Sequence, residues 1–466
     1  MLFNSLDFLL FFILVFTAYW SVPAKFPQVR STIVLVASYV FYGYWDWRFL
    51  GLIIISTGVD YVSAQQISKG QSKKIKRGWL ALSLVVNLGL LGFFKYFNFF
   101  AESFAEMLAL AGLNVTYSTL NIVLPIGISF YTFQTLSYTI DVYRQKISPT
   151  RNLLQFAAFV AFFPQLVAGP IERASDLLPQ FSVGKRFDYN RAVYGGMLMI
   201  YGFFKKVAVA DNLAQWVDPV FANPEEYVNW QIIGAFIAFG FQVYTDFSGY
   251  SDIAIGLAAI FGFRLSTNFK TPFFSDSIRT FWTRWHITLY SWFRDYVYIP
   301  LGGSRSTPAK RTFNLLITFG LSGLWHGASL NYILFGLLHG GYYSVEKLYS
   351  KRGPRWMTRL FALLGITFAW GVFRAPDTIT LSTLYKNLFQ FDILTLPNIS
   401  RNGMIILATL LLFAGIEIRI SRFENFAVWS GRLTLTTKLF VLYILVFWML
   451  LFGAFNTNQN FIYFQF

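Results

Sequence analysis

The chain has 466 residues, 55% hydrophobic, 20% aromatic and only 13% charged, with a mean hydropathy of +0.50. A soluble domain carries about 25% charged residues, so a soluble globule is excluded and a polytopic, all-α membrane protein is expected. The net charge of +16 lies mostly in short loops between apolar runs, which points to positive-inside topology and membrane lipids as partners, with no nucleic acid.

Zero cysteine excludes a disulfide framework, a thiolate metal site and a Cys nucleophile. A span needs about 20 apolar residues. About eleven are predicted, at roughly 2–20, 31–56, 79–100, 120–142, 192–212, 230–262, 312–326, 329–347, 358–374, 403–421 and 438–456. The first follows a start without Lys or Arg, unlike a secretory signal, and is read as a retained span. The stretch 230–262 is long enough to kink or break.

Loop charge orients these spans. Lys69, Lys73, Lys74, Lys76 and Arg77 form the densest basic cluster and are placed in the cytosol. Glu102 and Glu106 fall outside, Arg144, Lys146 and Arg151 inside, and Asp211, Asp218, Glu225 and Glu226 outside. Lys347, Lys351, Arg352, Arg355 and Arg359 are inside again, as are Arg419, Arg422 and Arg432. This count puts the N-terminus in the cytosol and the C-terminus outside. Loops 143–151 and 172–191 are both basic, so 152–170 should not cross. It contains Pro164, Gly169 and Pro170 and is read as a re-entrant hairpin, covered by protein or lining a cavity. No repeat or long linker divides the chain, which reads as one membrane-embedded domain, 1–466, with its motifs at about 120–350.

Chemistry at membrane depth is marked by titratable groups, which are costly there. His326 lies in the run Gly323-Leu324-Trp325-His326-Gly327 and is one of only three histidines. Imidazole suits acid–base work near neutrality, so His326 is the first catalytic candidate; a buried structural histidine is the competing reading. Ser322, four residues earlier, makes a Ser–His pair conceivable, but a base acting directly on an acceptor hydroxyl needs fewer assumptions. No regular ligand spacing suggests a metal site. His339 is either a polar helix contact or a catalytic group.

Three other segments stand out. In 279–305, Trp282, Trp285, Leu289, Trp292 and Tyr296 recur at helical spacing, as in an amphipathic interfacial helix. The same segment carries His286, Arg294 and Asp295; Arg294 and Arg305 are candidates to meet an anionic head group or phosphate. The polar string Tyr244–Asp252 holds Asp246, Ser248, Tyr250 and Asp252 inside an apolar stretch. It is either a helix-packing patch or a polar cavity wall whose carboxylates orient a histidine or hold a basic residue. Leu124–Gln134 places Pro125, Gly127 and Gln134 in a span, for close packing or as lining.

Taken together these motifs resemble the membrane-bound O-acyltransferase family, and most of all its bacterial branch that contains the alginate O-acetyltransferase membrane subunit. The resemblance runs from Met1-Leu2-Phe3-Asn4-Ser5 through Phe163–Ile171, Asp246–Asp252 and the Trp-His-Gly motif, and thins after about residue 375. Its most specific part is Trp292–Gly303. It implies a helical ring with re-entrant and interfacial helices around a central tunnel in the bacterial inner membrane. His326 and His286 would be its catalytic histidines, with Trp325, Asp246, Ser248, Tyr250, Asp252, Arg294, Asp295 and Gln134 binding substrate or lining the tunnel. It also implies acetyl-CoA as a cytosolic donor with no tightly bound cofactor, an extracytoplasmic polysaccharide as acceptor, and an extracytoplasmic acetyltransferase partner. D-alanyl or peptidoglycan O-acyl transfer are the alternatives within the fold. Asp246, Asp252 and the histidines would also serve a transporter or proton path, although no internal repeat supports one. An export-complex scaffold is the third class.

Overall fold

The computed structural model describes residues 1, 3–113, 119–349, 354–390, 401–423, 425–455 and 461–462. Lys351 and Arg352 of the predicted cytosolic cluster lie outside them. The described chain is all-α and divides into two compact units, residues 1–193 with 257–266 and residues 194–256 with 267–466.

The first unit contains α1 (Leu6–Ser21), α2 (Pro27–Asp46), α3 (Leu50–Lys69), α4 (Lys73–Leu91), α5 (Phe97–Leu110), α6 (Ile128–Tyr143), α7 (Leu153–Val160) and α8 (Ala174–Leu177). Local chemistry starts these helices. Ser5, Ser72 and Asn152 accept hydrogen bonds from the backbone N–H groups of Phe8, Ile75 and Gln155, and Pro27 occupies the first turn of α2.

The single span expected at 31–56 is two helices. The Asp46 carboxylate accepts the Arg48 N–H at 3.0 Å, and a 3-10 turn over Trp47–Phe49 separates the two helices. A hydropathy window averages across so short a break. Segment 152–170 folds as the eight-residue α7 followed by compact turns. At 1.5 Å per residue, α7 is only about 12 Å long, too short to cross a bilayer. Residues 156–172 are all buried. Their non-helical backbone is satisfied in part by side chains: Ser38 Oγ accepts the Phe163 N–H and Gln134 Nε2 donates to the Phe159 carbonyl.

The chain continues through α9 (Tyr189–Phe203), a π-helical segment (Phe204–Ala210), α10 (Asp211–Ala222) and α11 (Asn229–Ile260). Then come α12 (Ile278–Trp282), α13 (Ile287–Phe293), a π-helical turn (Arg294–Tyr298), α14 (Pro308–His326) and α15 (Leu330–Tyr349). The last helices are α16 (Arg355–Arg374), α17 (Thr378–Leu388), α18 (Arg401–Ser421), α19 (Phe426–Gly431) and α20 (Leu435–Phe452). Helix α11 is one continuous helix of 32 residues, about 48 Å long, without the break that its length allowed. The single amphipathic helix expected within 279–305 is also corrected. It breaks into α12, α13 and the π turn, because the backbone turns left-handed at His286.

Five helical stretches are long and apolar enough to cross a membrane by length and composition: 73–110, 189–222, 355–374, 402–421 and 435–452. Others miss that standard because their inward faces are polar. Helix α3 buries Ser56, Thr57, Asp60 and Ser63, and α6 buries Thr132, Gln134, Thr135, Ser137 and Thr139.

Candidate active site

The second unit brings two of the three histidines together. His326 is the last residue of α14, and Gly327 after it is extended. Helices α14 and α15 approach at glycines: a methyl group on Gly323 would overlap the Tyr332 carbonyl, and one on Gly336 would overlap the Phe319 carbonyl. This tight hairpin fixes the His326 ring, which is 4% exposed and stands 5.1 Å from Trp325 and 5.4 Å from Phe373 between ring centroids. The His286 ring is 6.5 Å away, and Trp325 lies 5.8 Å from His286.

His286 is held differently. Its backbone is left-handed, φ 41° and ψ 53°, a conformation costing a β-carbon residue on the order of 1 kcal/mol. The segment 268–270 clamps it there. The Ile287 N–H donates to the Asn268 carbonyl at 2.9 Å, and the Lys270 N–H to the Arg284 carbonyl at 2.9 Å. The Asn268 side-chain oxygen accepts the Thr288 N–H at 3.3 Å and the Thr288 hydroxyl at 2.9 Å, and lies 3.2 Å from His286 Nδ1. A backbone N–H can only donate, so this Asn268 atom is the oxygen. It must therefore accept from Nδ1–H, which leaves the lone pair of the neutral ring on Nε2. Sequence reading missed Asn268, since nothing local links an asparagine to a histidine eighteen positions on.

A cavity of about 410 Å³ reaches this centre. Its inner wall includes His286, Trp282 and Ser322, and Arg279, Arg294 and Arg311 also line it. His326 sits behind His286 rather than on the wall. Arg294 is exposed and donates to its neighbour Asp295 at 2.8 Å. His339 accepts from the Trp282 indole N–H at 3.3 Å, joining α12 to α15, so its Nδ1 is committed to a helix–helix contact.

The carboxylates of the polar string do not orient a histidine. They pair with Lys205 and Lys206, on the π-helical segment. Lys205 Nζ lies 2.5 Å from Asp252 and donates to Ser248 Oγ at 3.0 Å. Lys206 Nζ bridges Asp211 at 2.8 Å and Asp246 at 2.9 Å. Asp211, expected in an acidic loop, is thus buried. Asp246 also accepts the Ile462 N–H at 2.7 Å, and Tyr250 stacks on Phe461 at 4.6 Å. Glu417 accepts from Tyr201 and Tyr244, each at 2.7 Å. The close approach of α9 and α11 makes this possible: a methyl on Gly202 would come within 2.6 Å of the Gly249 carbonyl oxygen, and one on Gly249 within 2.7 Å of the Gly202 oxygen. Two adjacent lysines in the predicted span 192–212 were the available signal, since buried cations require counter-charges. Gln134 belongs to the first unit, where it donates to the Phe159 carbonyl and accepts from Gln165 at 2.6 Å. It supports the re-entrant backbone there.

An all-α membrane protein with a Trp-His-Gly turn beside a second buried histidine is what the resemblance to the membrane-bound O-acyltransferases implies. The membrane-bound O-acyltransferase family signature matches residues 144–373. The chain is 41% identical over 423 residues to the probable alginate O-acetylase AlgI of Azotobacter vinelandii, covering 88% of this chain and 83% of that protein. The probable alginate O-acetylase AlgI of Pseudomonas aeruginosa is 41% identical, with 87% and 78% covered. The peptidoglycan O-acetyltransferase of Helicobacter pylori is 34% identical, with 86% and 82% covered. The chain belongs to the membrane-bound O-acyltransferase family, and it is a multi-pass membrane O-acyltransferase.

Proposed function

We propose that this chain passes an acetyl group from a cytosolic thioester donor, acetyl-CoA, across a bacterial inner membrane to an acceptor hydroxyl, for O-acetylation of an extracytoplasmic polysaccharide such as alginate through a partner protein. The observation that carries this reading is the 6.5 Å pairing of His286 and His326 at the head of a cavity that three arginines also line. The names of the relatives add the acetyl group and the polysaccharide.

In the reaction, the acceptor oxygen attacks the thioester carbonyl and an imidazole takes the hydroxyl proton. The carbon–sulfur bond breaks, and the thiolate leaves with the proton returned by the imidazolium. His326 is assigned as base. His286, with its tautomer set by Asn268, steers the acyl group or relays the proton. Arg279, Arg294 and Arg311 would meet the donor's phosphates. Asp246, Ser248, Tyr250 and Asp252 act as a structural brace rather than as substrate ligands. An extracytoplasmic partner acetyltransferase takes the acetyl group onward. The test uses purified full-length protein in lipid with acetyl-CoA, with and without the partner acetyltransferase, following thiol release and ester formation on alginate and on peptidoglycan. Loss of both products with His326→Ala supports the assignment; near-normal activity overturns it. Polymer acetylation without any partner would remove the relay.

The basic loops are assigned to the cytosol. Reading α2 and α3 as two crossings in place of one predicted span, we assign the N-terminus to the outside, opposite to the expectation from a single span at 31–56. The cysteine-free chain suits single-cysteine labelling. Ser5→Cys should react with an impermeant maleimide on intact spheroplasts; reaction only after permeabilisation would restore the original orientation.

A further inference from the structure

In the first unit, a second cavity of about 590 Å³ is lined by the loop 183–189, Arg191 and Gly262. Lys185, Arg186 and Arg191 contribute to its wall, and Arg30 fixes the loop beneath it. The Arg30 guanidinium is 6% exposed. It donates to the Lys185 carbonyl at 2.5 Å and to the Val22 carbonyl at 2.5 and 3.0 Å. The Tyr19 and Trp20 rings lie 4.9 Å from it on either count. Lys185 Nζ lies 4.3 Å from the Phe263 ring centroid, and Arg191 donates to the Gly262 carbonyl at 3.1 Å.

These partners are all neutral: carbonyl oxygens and aromatic faces. Among the described residues, none of the ion pairs involves Arg30, Lys185, Arg186 or Arg191. Asp188, the one carboxylate in the wall, accepts the Arg191 backbone N–H at 3.1 Å as the cap of α9. Four cations therefore gather around one acid. Burial, reinforced by Arg191 and Arg30, pushes the Lys185 ammonium down to about 8, a cost that a bound anion would relieve.

The rim says which kind of anion. Val183, Phe187 and Tyr189 are exposed beside the basic residues, and Phe187 packs edge-on against Trp20 at 5.2 Å. Basic side chains set beside exposed apolar and aromatic ones in one wall match an amphiphile at the membrane interface better than a freely soluble anion. We propose that this pocket binds the phosphate head group of an anionic phospholipid, with the exposed Val183, Phe187 and Tyr189 set among its acyl chains.

The full-length protein in detergent would be titrated with phosphatidylglycerol, phosphatidylcholine and inorganic phosphate, with binding read by native mass spectrometry. The proposal expects phosphatidylglycerol to bind at least tenfold tighter than phosphatidylcholine. Each basic side chain near a membrane surface contributes about fivefold in affinity, so Arg186→Gln should weaken phosphatidylglycerol binding about fivefold and the Arg186→Gln/Arg191→Gln pair about 25-fold. Phosphatidylcholine binding should not change. Equal affinity for the two lipids, or unchanged binding in the variants, overturns the site. Inorganic phosphate binding as tightly as phosphatidylglycerol overturns the lipid assignment in favour of a soluble anion. Should the double variant fail to fold, Arg186→Gln alone decides, since its side chain is exposed.

Discussion

Two buried polar regions of the second unit invite comparison. Around Lys205 and Lys206, each ammonium meets a carboxylate within 3 Å, and the acids find further hydrogen bonds. None of these ion pairs involves His286 or His326. Instead an amide sets one tautomer, aromatic rings set the positions, and a cavity opens onto His286. Both regions are expensive in a membrane. The first offsets its cost internally through ion pairs; the second sets a ring tautomer beside a cavity. Charge at membrane depth is therefore a poor guide to chemistry until its partners are known.

The comparison can be broken in order of effect. His326→Ala should lower acetyl transfer by roughly 10³-fold, within the range for positioned acid–base groups, with membrane insertion and thermal stability unchanged. Lys206→Met should do the reverse. It strands Asp211 and Asp246 and should cost about 3–5 kcal/mol of stability, seen as loss of folded yield or a lower melting temperature in detergent. Removing the acids as well, in Lys206→Met/Asp211→Leu/Asp246→Asn, should recover much of that stability. A folded, stable Lys206→Met protein with no activity would turn the lysine network into part of the catalytic machinery. Asn268→Ala should sit between the two regions, lowering kcat about fivefold with little change in KM, since one hydrogen bond of about 1 kcal/mol sets the ring. A normal rate would show that the His286 tautomer does not matter.

Much of this was legible where the determinants are local. The Trp-His-Gly turn, the short 152–170 segment and most helices follow from contiguous apolar runs, glycine and proline. The left-handed backbone at His286 was not, because it depends on Asn268 and on the Lys270–Arg284 hydrogen bond. The α2–α3 break was hidden because a single carboxylate, Asp46, and the three residues Trp47, Arg48 and Phe49 make a turn that hydropathy cannot register. The polar string at 244–252 was recognised, but its role was open until the helix crossing at Gly202 and Gly249 delivered the lysines.

The π-helical segment Phe204–Ala210 has a consequence for how this chain can change. Such a segment accommodates an extra residue relative to an α-helix, and here all seven of its residues are buried, two consecutive lysines among them. Lys206 and its partner Asp211 stand at i and i+5, the spacing that meets across a π turn. Losing one residue between them would leave an i, i+4 pair, which meets across an α turn. The segment can thus shorten to ordinary helical winding and keep this ion pair, whereas an added residue would part it.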